Sequence, residues 1–203
     1  MVQIKKPDPK QRIIETAATL FAERGFEAVP VREIADRAQV NVAMINYYFR
    51  NKNGLYHAII EKLMGELNER LESEVAEGAD PVDRLKRYVY SYVSYLRQES
   101  QTAQLVFQAI FLKDTDLDYL VERYWVRTYA MVEQVLREGV AAGVFSPIDS
   151  RLIPISIRGM LLWYFMSSPI TVRLPGMREY RGEFDEKLAE ETLHLLLQGL
   201  LKR

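Results

Sequence analysis

The stretch from Asn41 to Phe49 gathers small, polar and aromatic side chains at the spacing of a helix. Val42, Ile45 and Phe49 recur at intervals of three and four residues, which predicts a short helix with these side chains turned inward. Asn41 is a favourable N-cap for that helix. The opposite face then presents Ala43, Met44, Asn46 and Tyr47. Such groups suit base edges and phosphates in a major groove, so the chemistry expected here is nucleic-acid recognition.

A second short helix is predicted immediately before this one. Apolar residues stand at positions 31, 34, 35 and 38, which is the stripe of an amphipathic helix from Val31 to Ala38. The residues from Gln39 to Asn41 interrupt the stripe and form the connection. Two helices of about two turns joined by about three residues are typical of a helix-turn-helix motif.

This stretch and its flanks resemble the N-terminal domain of the TetR family of transcriptional regulators, over about the first 60 residues. The family pattern has a basic residue before I-x-x-A-A-x-x-L-F, then G-F/Y, V-x-x-I-A, Y/H-F and a Lys soon after. The matching segments are Arg12 with Ile13–Phe21, Gly25-Phe26, Val31–Ala35, Tyr48-Phe49 and Lys52–Leu55. The resemblance implies a helix-turn-helix domain, a helical body and a homodimer on a near-palindromic double-stranded DNA operator.

The resemblance also places the DNA contacts on the second motif helix and its flanks. Tyr47 and Lys52 match positions at the DNA backbone, and a phenol and an ammonium near a helix end are good phosphate donors. Phe49 is expected in the core, and Tyr48 either in the core or on DNA. The full predicted set is Arg32, Asn41, Val42, Ala43, Met44, Asn46, Tyr47, Tyr48 and Lys52.

Three sites depart from the family pattern. Gln39 stands where glycine is usual, at a position that tends to need positive φ, so it is expected to carry roughly 1 kcal/mol of strain. Val29 and Pro30 replace residues with capping hydroxyls. Asn46 replaces a Tyr, and Asn can read adenine through two hydrogen bonds, so the operator is expected to differ from those of better-known relatives.

Composition and charge limit the other functional classes. Cysteine is absent, which excludes a disulfide framework and a thiolate metal site. We find no apolar run long enough to cross a bilayer and no signal peptide, so a cytoplasmic protein is expected. The net charge is −1, but residues 1–60 hold nine Lys and Arg against six Asp and Glu, a net +3. A basic N-terminal part, including an arm from Lys5 to Lys10, favours DNA contact by that end alone.

The rest of the chain is predicted to be helical, which gives an all-α fold of about nine helices. Leucines and isoleucines recur every four residues from Leu55 to Leu71 in a helix that starts near Lys52. We place a boundary inside this helix, with a DNA-binding domain at 1–60 and an effector-binding and dimerisation domain at 61–203. The later predicted helices are about 80–98, 101–113, 116–142, 149–166 with a kink or late start at Pro154, and 183–201, with a loop over 167–182.

The second domain is rich in aromatic side chains. Helix-bundle core explains most of them, but an effector pocket between helices is also implied by the resemblance, and phenols suit a ligand with few polar groups. We therefore expect a small apolar or aromatic effector. The predicted pocket residues are Tyr92, Tyr95, Phe107, Phe111, Tyr124, Trp125 and Trp163.

Catalysis and metal binding have little support in the sequence. There is no G-x-S-x-G motif, no glycine-rich phosphate loop and no cysteine nucleophile. His57 and His194 lack a metal-ligand neighbour at the right spacing. We predict no catalytic residue, no metal and no cofactor.

Two C-terminal helices carry apolar side chains suited to subunit pairing. The last helix is apolar on two faces, which is hard to bury in one subunit, so a two-fold dimer through a four-helix bundle is expected. The alternative is that the second face packs against the same subunit. The predicted interface residues are Ile153, Ile157, Met160, Leu161, Tyr164, Leu188, Thr192, Leu195, Leu196 and Gly199.

These features predict a ligand-responsive, DNA-binding transcriptional repressor in which the effector tilts the helix that begins near Lys52. Two alternatives stay open. One is the same DNA-binding dimer switched by a protein partner in place of a small molecule. The other is an all-α enzyme with an incidental helix-turn-helix.

Overall fold

A computed structural model describes residues 8–100, 103, 105, 117–171, 173–177 and 184–201. Its helices are α1 (Pro9–Arg24), α2 (Val31–Ala38), α3 (Val42–Phe49), α4 (Lys52–Ala76), α5 (Pro81–Gln98), α6 (Leu117–Leu120), α7 (Val126–Ala141), α8 (Ile153–Thr171) and α9 (Phe184–Leu200). The predicted all-α fold is confirmed. Within the described residues, the extended pairing is one isolated antiparallel bridge between Phe145 and Leu201. None of the helices described is long and apolar enough to cross a membrane.

The chain divides into two compact units. The first comprises the described residues up to Met64 together with Ala103 and Leu105, and the second begins at Gly65. The α4 helix runs through the division without a break, since it extends from Lys52 to Ala76.

The first unit is a small bundle of α1, α2, α3 and the start of α4. The Nε atom of Arg12 donates to the Ala38 carbonyl at 3.3 Å, which places a cation at the negative end of α2. The Tyr56 phenol donates to the Leu105 carbonyl at 3.0 Å, and burial raises the pKa of Tyr56 to about 12. Val31 and Val42, also predicted to face inward, are only half-buried. The other inward-facing side chains of α1, α2 and α3 are buried: Ile13, Ile14, Ala17, Leu20, Phe21, Ile34, Ala35, Ala38, Ile45 and Phe49.

The second unit is organised around α5. The Asp80 carboxylate caps this helix, because it accepts the N–H groups of Val82 and Asp83 at 2.9 Å each. Three tyrosines at helical spacings of four and three along α5 are all buried: Tyr88, Tyr92 and Tyr95.

A π-helical turn, Val121–Trp125, joins α6 to α7. The amide of Val126 donates to the Val121 carbonyl, five residues back. The side chain of Asn68, a buried residue of α4, donates to the Tyr124 carbonyl at 2.8 Å. The turn is therefore held by a hydrogen bond from α4, and π turns of this kind are frequent at functional sites.

Two helix boundaries differ from the sequence prediction, and a third agrees with it. The α1 helix begins at Pro9, whose fixed φ suits a first helical position, so the basic arm is shorter than expected. The α8 helix begins at Ile153, which confirms the late start at Pro154. It also continues to Thr171, so the predicted loop from 167 was wrong, because a proline marks a probable but not an obligatory helix end. The predicted helix 101–113 and most of the basic arm lie outside the described residues.

Candidate nucleic-acid interface and ligand cavity

The connection between α2 and α3 turns at Gln39. Its φ of 55° and ψ of 49° are left-handed, as the sequence predicted. The Gln39 amide donates to the Ala35 and Asp36 carbonyls, and the Val40 amide donates to the Ala35 carbonyl at 3.0 Å. This hydrogen bonding ends α2 sharply, and it needs a conformation in which any residue with a Cβ is strained.

Gln39→Gly is expected to stabilise the protein by about 1 kcal/mol, because glycine adopts positive φ without a Cβ clash. Thermal and denaturant unfolding of the two proteins measure the difference. Gln39→Ala is the matched control, since it shortens the side chain but keeps the Cβ, and it should give no gain. A glycine variant less stable than the wild type would contradict the strain.

The α3 helix has a clean division between a packed and an open face. Asn41 caps it, because its side-chain oxygen accepts the Ala43 amide at 2.9 Å. Ile45 is fully covered, Phe49 is 6% exposed, and the Tyr47 side chain is 81% exposed. Asn41, Ala43, Asn46 and Tyr47 are exposed, while Val42, Met44 and Tyr48 are half-buried. The open face of α3 therefore carries the side chains that the sequence assigned to DNA.

Two cations flank this face. Arg32 is exposed near the N-terminus of α2. Lys52, the first residue of α4, is half-buried, and its ammonium donates to the Glu27 carbonyl at 3.3 Å and lies 4.4 Å from the Phe26 ring centroid. An ammonium has three donors, so this arrangement fixes the Lys52 side chain and leaves hydrogen-bonding capacity for a phosphate.

A tight corner joins α3 to α4. The Asn51 amide donates to the Phe49 carbonyl at 2.8 Å across Arg50, whose φ of 66° and ψ of −46° are those of a strained γ-turn. The Asn51 side chain then caps α4 by accepting the Gly54 amide at 2.8 Å. A Cβ on Gly54 would lie 2.0 Å from the Phe49 carbonyl oxygen, so only glycine fits. This role of Gly54 was not predicted from the sequence.

The second unit contains a cavity of about 500 Å³ between the π turn, α5, α7 and α8. Its wall is mostly apolar, and Arg158 of α8 is the charged side chain on it. The lining residues are Tyr88, Val121, Trp125, Val126, Thr128, Tyr129, Pro154, Ile155, Arg158, Gly159 and Leu162. No group of three or more His, Asp or Glu in the described part of the chain is placed to hold a metal ion.

The predicted pocket residues do not all line the cavity. Trp125 lines the cavity. Tyr92, Tyr95 and Tyr124 are buried in the core and do not line it; burial, and then the neighbouring Glu66 carboxylate, raise the pKa of Tyr95. Trp163 is 68% exposed and lies outside this wall, because it falls on the outer face of α8. Phe107 and Phe111 lie outside the described residues. Sequence reasoning missed Arg158, since one arginine in a helix has no distinguishing pattern.

The predicted interface residues also differ in exposure, and only some of them lie on the surface of the subunit. Ile157 and Leu161 have no exposed surface in the subunit, and Thr192 and Leu196 are only 5% and 9% exposed, so these four pack mainly within their own subunit. They face the subunit's own core, as do Ala189, Leu193 and Leu200 of α9. Ile153, Tyr164 and Leu188 are half-buried, while Met160, Leu195 and Gly199 are exposed. The α8 helix exposes further apolar side chains that the prediction omitted: Ile155, Trp163, Met166 and Ile170.

Two family models match the chain. The one for bacterial regulatory proteins of the tetR family matches residues 13–59, and the one for the tetracyclin repressor-like C-terminal domain matches residues 78–166. A probable HTH-type transcriptional regulator, YttP of Bacillus subtilis (strain 168), is 29% identical over 92% of this chain and 91% of its own.

Solved structures share the fold. The fatty acid degradation regulator FadR from Bacillus halodurans is 25% identical, with a TM-score of 0.79 over 98% of this chain and 100% of that one. AibR, solved in complex with isovaleryl coenzyme A and operator DNA, is 23% identical, with a TM-score of 0.75 over 93% of this chain and 97% of that one. At that identity the likeness to AibR concerns the fold alone.

Proposed function

This chain is a DNA-binding transcriptional regulator of the tetR family, and we propose that it acts as a ligand-responsive repressor on a near-palindromic operator, as a homodimer in the cytoplasm. Family members are regulators and not enzymes, so the enzymatic alternative is set aside. The observation that carries the proposal is the open face of α3, which is held by a cap and two buried side chains and leaves Asn46 and Tyr47 exposed.

The DNA contacts divide into two kinds. Asn46 and Met44 stand on the open face of α3, where side chains of a recognition helix read base edges. Tyr47 and Lys52 carry a phenol and an ammonium toward the end of α3 and the start of α4, which suits phosphate contact. We assign the remaining predicted residues, Arg32, Asn41, Val42, Ala43 and Tyr48, to the same surface. On this reading, residues 1–60 form the DNA-binding domain.

Lys52→Met is expected to weaken binding to all DNA sequences alike and to reduce the slope of log affinity against log salt by about one unit. Methionine keeps an unbranched stem against Phe26 while the ammonium is lost. Asn46→Ala should instead relax preference at one base pair, at a cost of about 1–3 kcal/mol there. Titrations over a range of salt concentrations, on operator and random duplexes, measure both.

Lys86→Met is the matched control, because Lys86 is an exposed lysine of α5 in the second unit. It removes one positive charge and should leave the salt slope unchanged. An unchanged slope for Lys52→Met would rule out the phosphate assignment. Equal loss of affinity for every sequence in Asn46→Ala would rule out base reading by Asn46.

Dimer formation is proposed through the outer faces of α8 and α9. Trp163 is 68% exposed, Ile170 67% and Leu195 64%, and such side chains normally mark an interaction surface when they are contiguous. The proposed surface, called the outer apolar face below, consists of Ile155, Met160, Trp163, Met166, Ile170 and Leu195. A two-fold axis would place two α3 helices on the two halves of a palindrome.

Effector control is proposed to act through α4. Val121 and Trp125 of the π turn line the cavity, and Asn68 of α4 holds the same turn through the Tyr124 carbonyl. A ligand in the cavity therefore acts on a wall that is hydrogen-bonded to α4. Since α4 begins at Lys52, directly after the corner that follows α3, a shift of α4 would move α3, the proposed recognition helix. The ligand shifts the equilibrium only if it prefers one position of α4.

A further inference from the structure

Arg158 differs in its surroundings from several arginines of the second unit, which pair with a carboxylate. Arg84 pairs with Glu138, Arg127 with Glu72 and Arg151 with Asp149. Arg158 contacts only neutral groups among the described residues. Its Nη2 donates to the Thr128 hydroxyl at 2.5 Å, its guanidinium carbon lies 5.0 Å from the Trp125 ring centroid, and the Tyr88 phenol is a further hydrogen-bond partner.

These contacts fix the direction of the guanidinium without neutralising it. Thr128 and Tyr88 are buried, so the partners themselves are held in place. A guanidinium has five N–H donors, and two neutral partners leave donors available. An anion that reached the guanidinium would supply the opposite charge that these neutral partners lack.

The cavity around Arg158 selects the rest of the ligand. Its other walls come mainly from apolar side chains, including Val121, Val126 and Leu162. The Tyr129 phenol, which is also on the wall, already donates to the Arg151 carbonyl at 2.8 Å. A volume of about 500 Å³ is within the range of small-molecule sites. One fixed positive charge in a half-open, mainly apolar cavity matches an apolar body with a single negative charge.

We propose that the Arg158 cavity binds an apolar molecule carrying one carboxylate, which pairs with the Arg158 guanidinium while the apolar body packs on Trp125 and Leu162. Carboxylate and guanidinium are matched for two parallel hydrogen bonds. The inference deepens the proposed effector role, and only its regulatory meaning rests on that role. The proposed ligand is the free acid, which carries the carboxylate. The thioester of the same acid with coenzyme A has a neutral carbonyl in its place and carries its negative charges on phosphates.

Titration calorimetry of the full chain without DNA tests the ligand class. The linear probes are decanoate below its micelle concentration, 1-decanol and decanoyl-coenzyme A. The aromatic probes are biphenyl-4-carboxylate and biphenyl-4-methanol. At least one carboxylate should bind about tenfold more tightly than its alcohol, because the ion pair is absent from the alcohol complex. Equal affinity of each carboxylate and its alcohol, binding by neither carboxylate, or binding of the thioester alone would overturn the proposal.

Substitutions of Arg158 test whether its guanidinium supplies the positive charge that pairs with the carboxylate. Arg158→Gln should lose about tenfold in affinity for the carboxylate and little for the alcohol, since the amide can still donate to Thr128. Arg158→Lys should keep part of the difference between the two probes, which a merely structural role would not predict. Arg151→Gln is the matched control, because Arg151 is exposed and paired with Asp149, and its binding should equal that of the wild type. Retained carboxylate affinity in a folded Arg158→Gln protein would contradict the pairing.

Operator titrations with and without the carboxylate separate this inference from the proposed function. Carboxylate binding that depends on Arg158 but leaves operator affinity unchanged would support the ligand class and contradict the effector role. If the wild-type protein binds the operator but binds no carboxylate, the proposed ligand class is contradicted and the proposed DNA-binding function is unaffected.

Discussion

Gly54→Ala is expected to destabilise the first unit by about 2–3 kcal/mol. Operator binding should be lost at temperatures near the lowered unfolding midpoint of the variant. The added Cβ would lie 2.0 Å from the Phe49 carbonyl oxygen and 3.1 Å from the carbonyl carbon. That carbonyl cannot easily move, because it accepts the Asn51 amide across the strained turn at Arg50. Relief of the clash must therefore shift the start of α4 or the end of α3, which carries side chains proposed to contact DNA.

Gly65→Ala is the matched control, since Gly65 lies in the same helix and a Cβ there would meet nothing within 4 Å. It should stabilise the protein by about 0.5–1 kcal/mol, the usual preference of a helix interior for alanine. Calorimetric melts and operator gel shifts compare the two variants. If Gly54→Ala melts with the wild type and binds DNA normally, the corner does not require glycine and the described geometry of α3 and α4 is wrong.

Trp163→Glu is expected to convert the protein to monomers and to reduce operator affinity by about 100-fold or more, because a monomer loses the second, linked half-site. Trp163 is the most exposed side chain of the outer apolar face. Two glutamates related by a two-fold axis would repel each other in a desolvated surface. Sedimentation measures assembly, and circular dichroism checks that the subunit stays folded.

Tyr90→Glu is the matched control for that variant. Tyr90 is 42% exposed on α5, so a charge there should leave assembly and DNA binding unchanged. Leu196→Glu would be a poor test, since Leu196 faces the subunit core and a buried charge there would disrupt the subunit itself. A Trp163→Glu protein that stays dimeric with full operator affinity would eliminate the outer apolar face as the pairing surface.

Local signals explain what the sequence predicted well. The stripes of α2 and α3, the Asn41 cap and the strained Gln39 all depend on neighbours within a few residues. Such signals can be seen in a single sequence, because helix periodicity and capping are local properties. The proposed DNA-contacting set was accordingly found in full on the exposed or half-buried surface of the first unit and at its edges.

Tertiary packing explains what the sequence missed. Ile157 and Leu161 share an apolar helix with Trp163, and periodicity alone does not tell which face turns to the core. The π turn inserts its extra residue without a composition signature, and Arg158 gains its importance from Thr128 and Trp125, which lie about thirty residues away in sequence. In each case the deciding contact is made with a different helix.

The two faces of α3 have different roles, since one stabilises the fold and the other is exposed. This difference affects which substitutions such a regulator can accept during divergence. Its fold depends on the Asn41 cap, on Ile45 and Phe49, and on the corners at Gln39 and Arg50. The exposed positions 43, 46 and 47 contribute little to that scaffold. After gene duplication, substitutions at these positions can accumulate without approaching the stability threshold that removes most mutants. A copy of this chain can therefore change its proposed DNA-reading surface in single substitutions while the second unit is inherited unchanged.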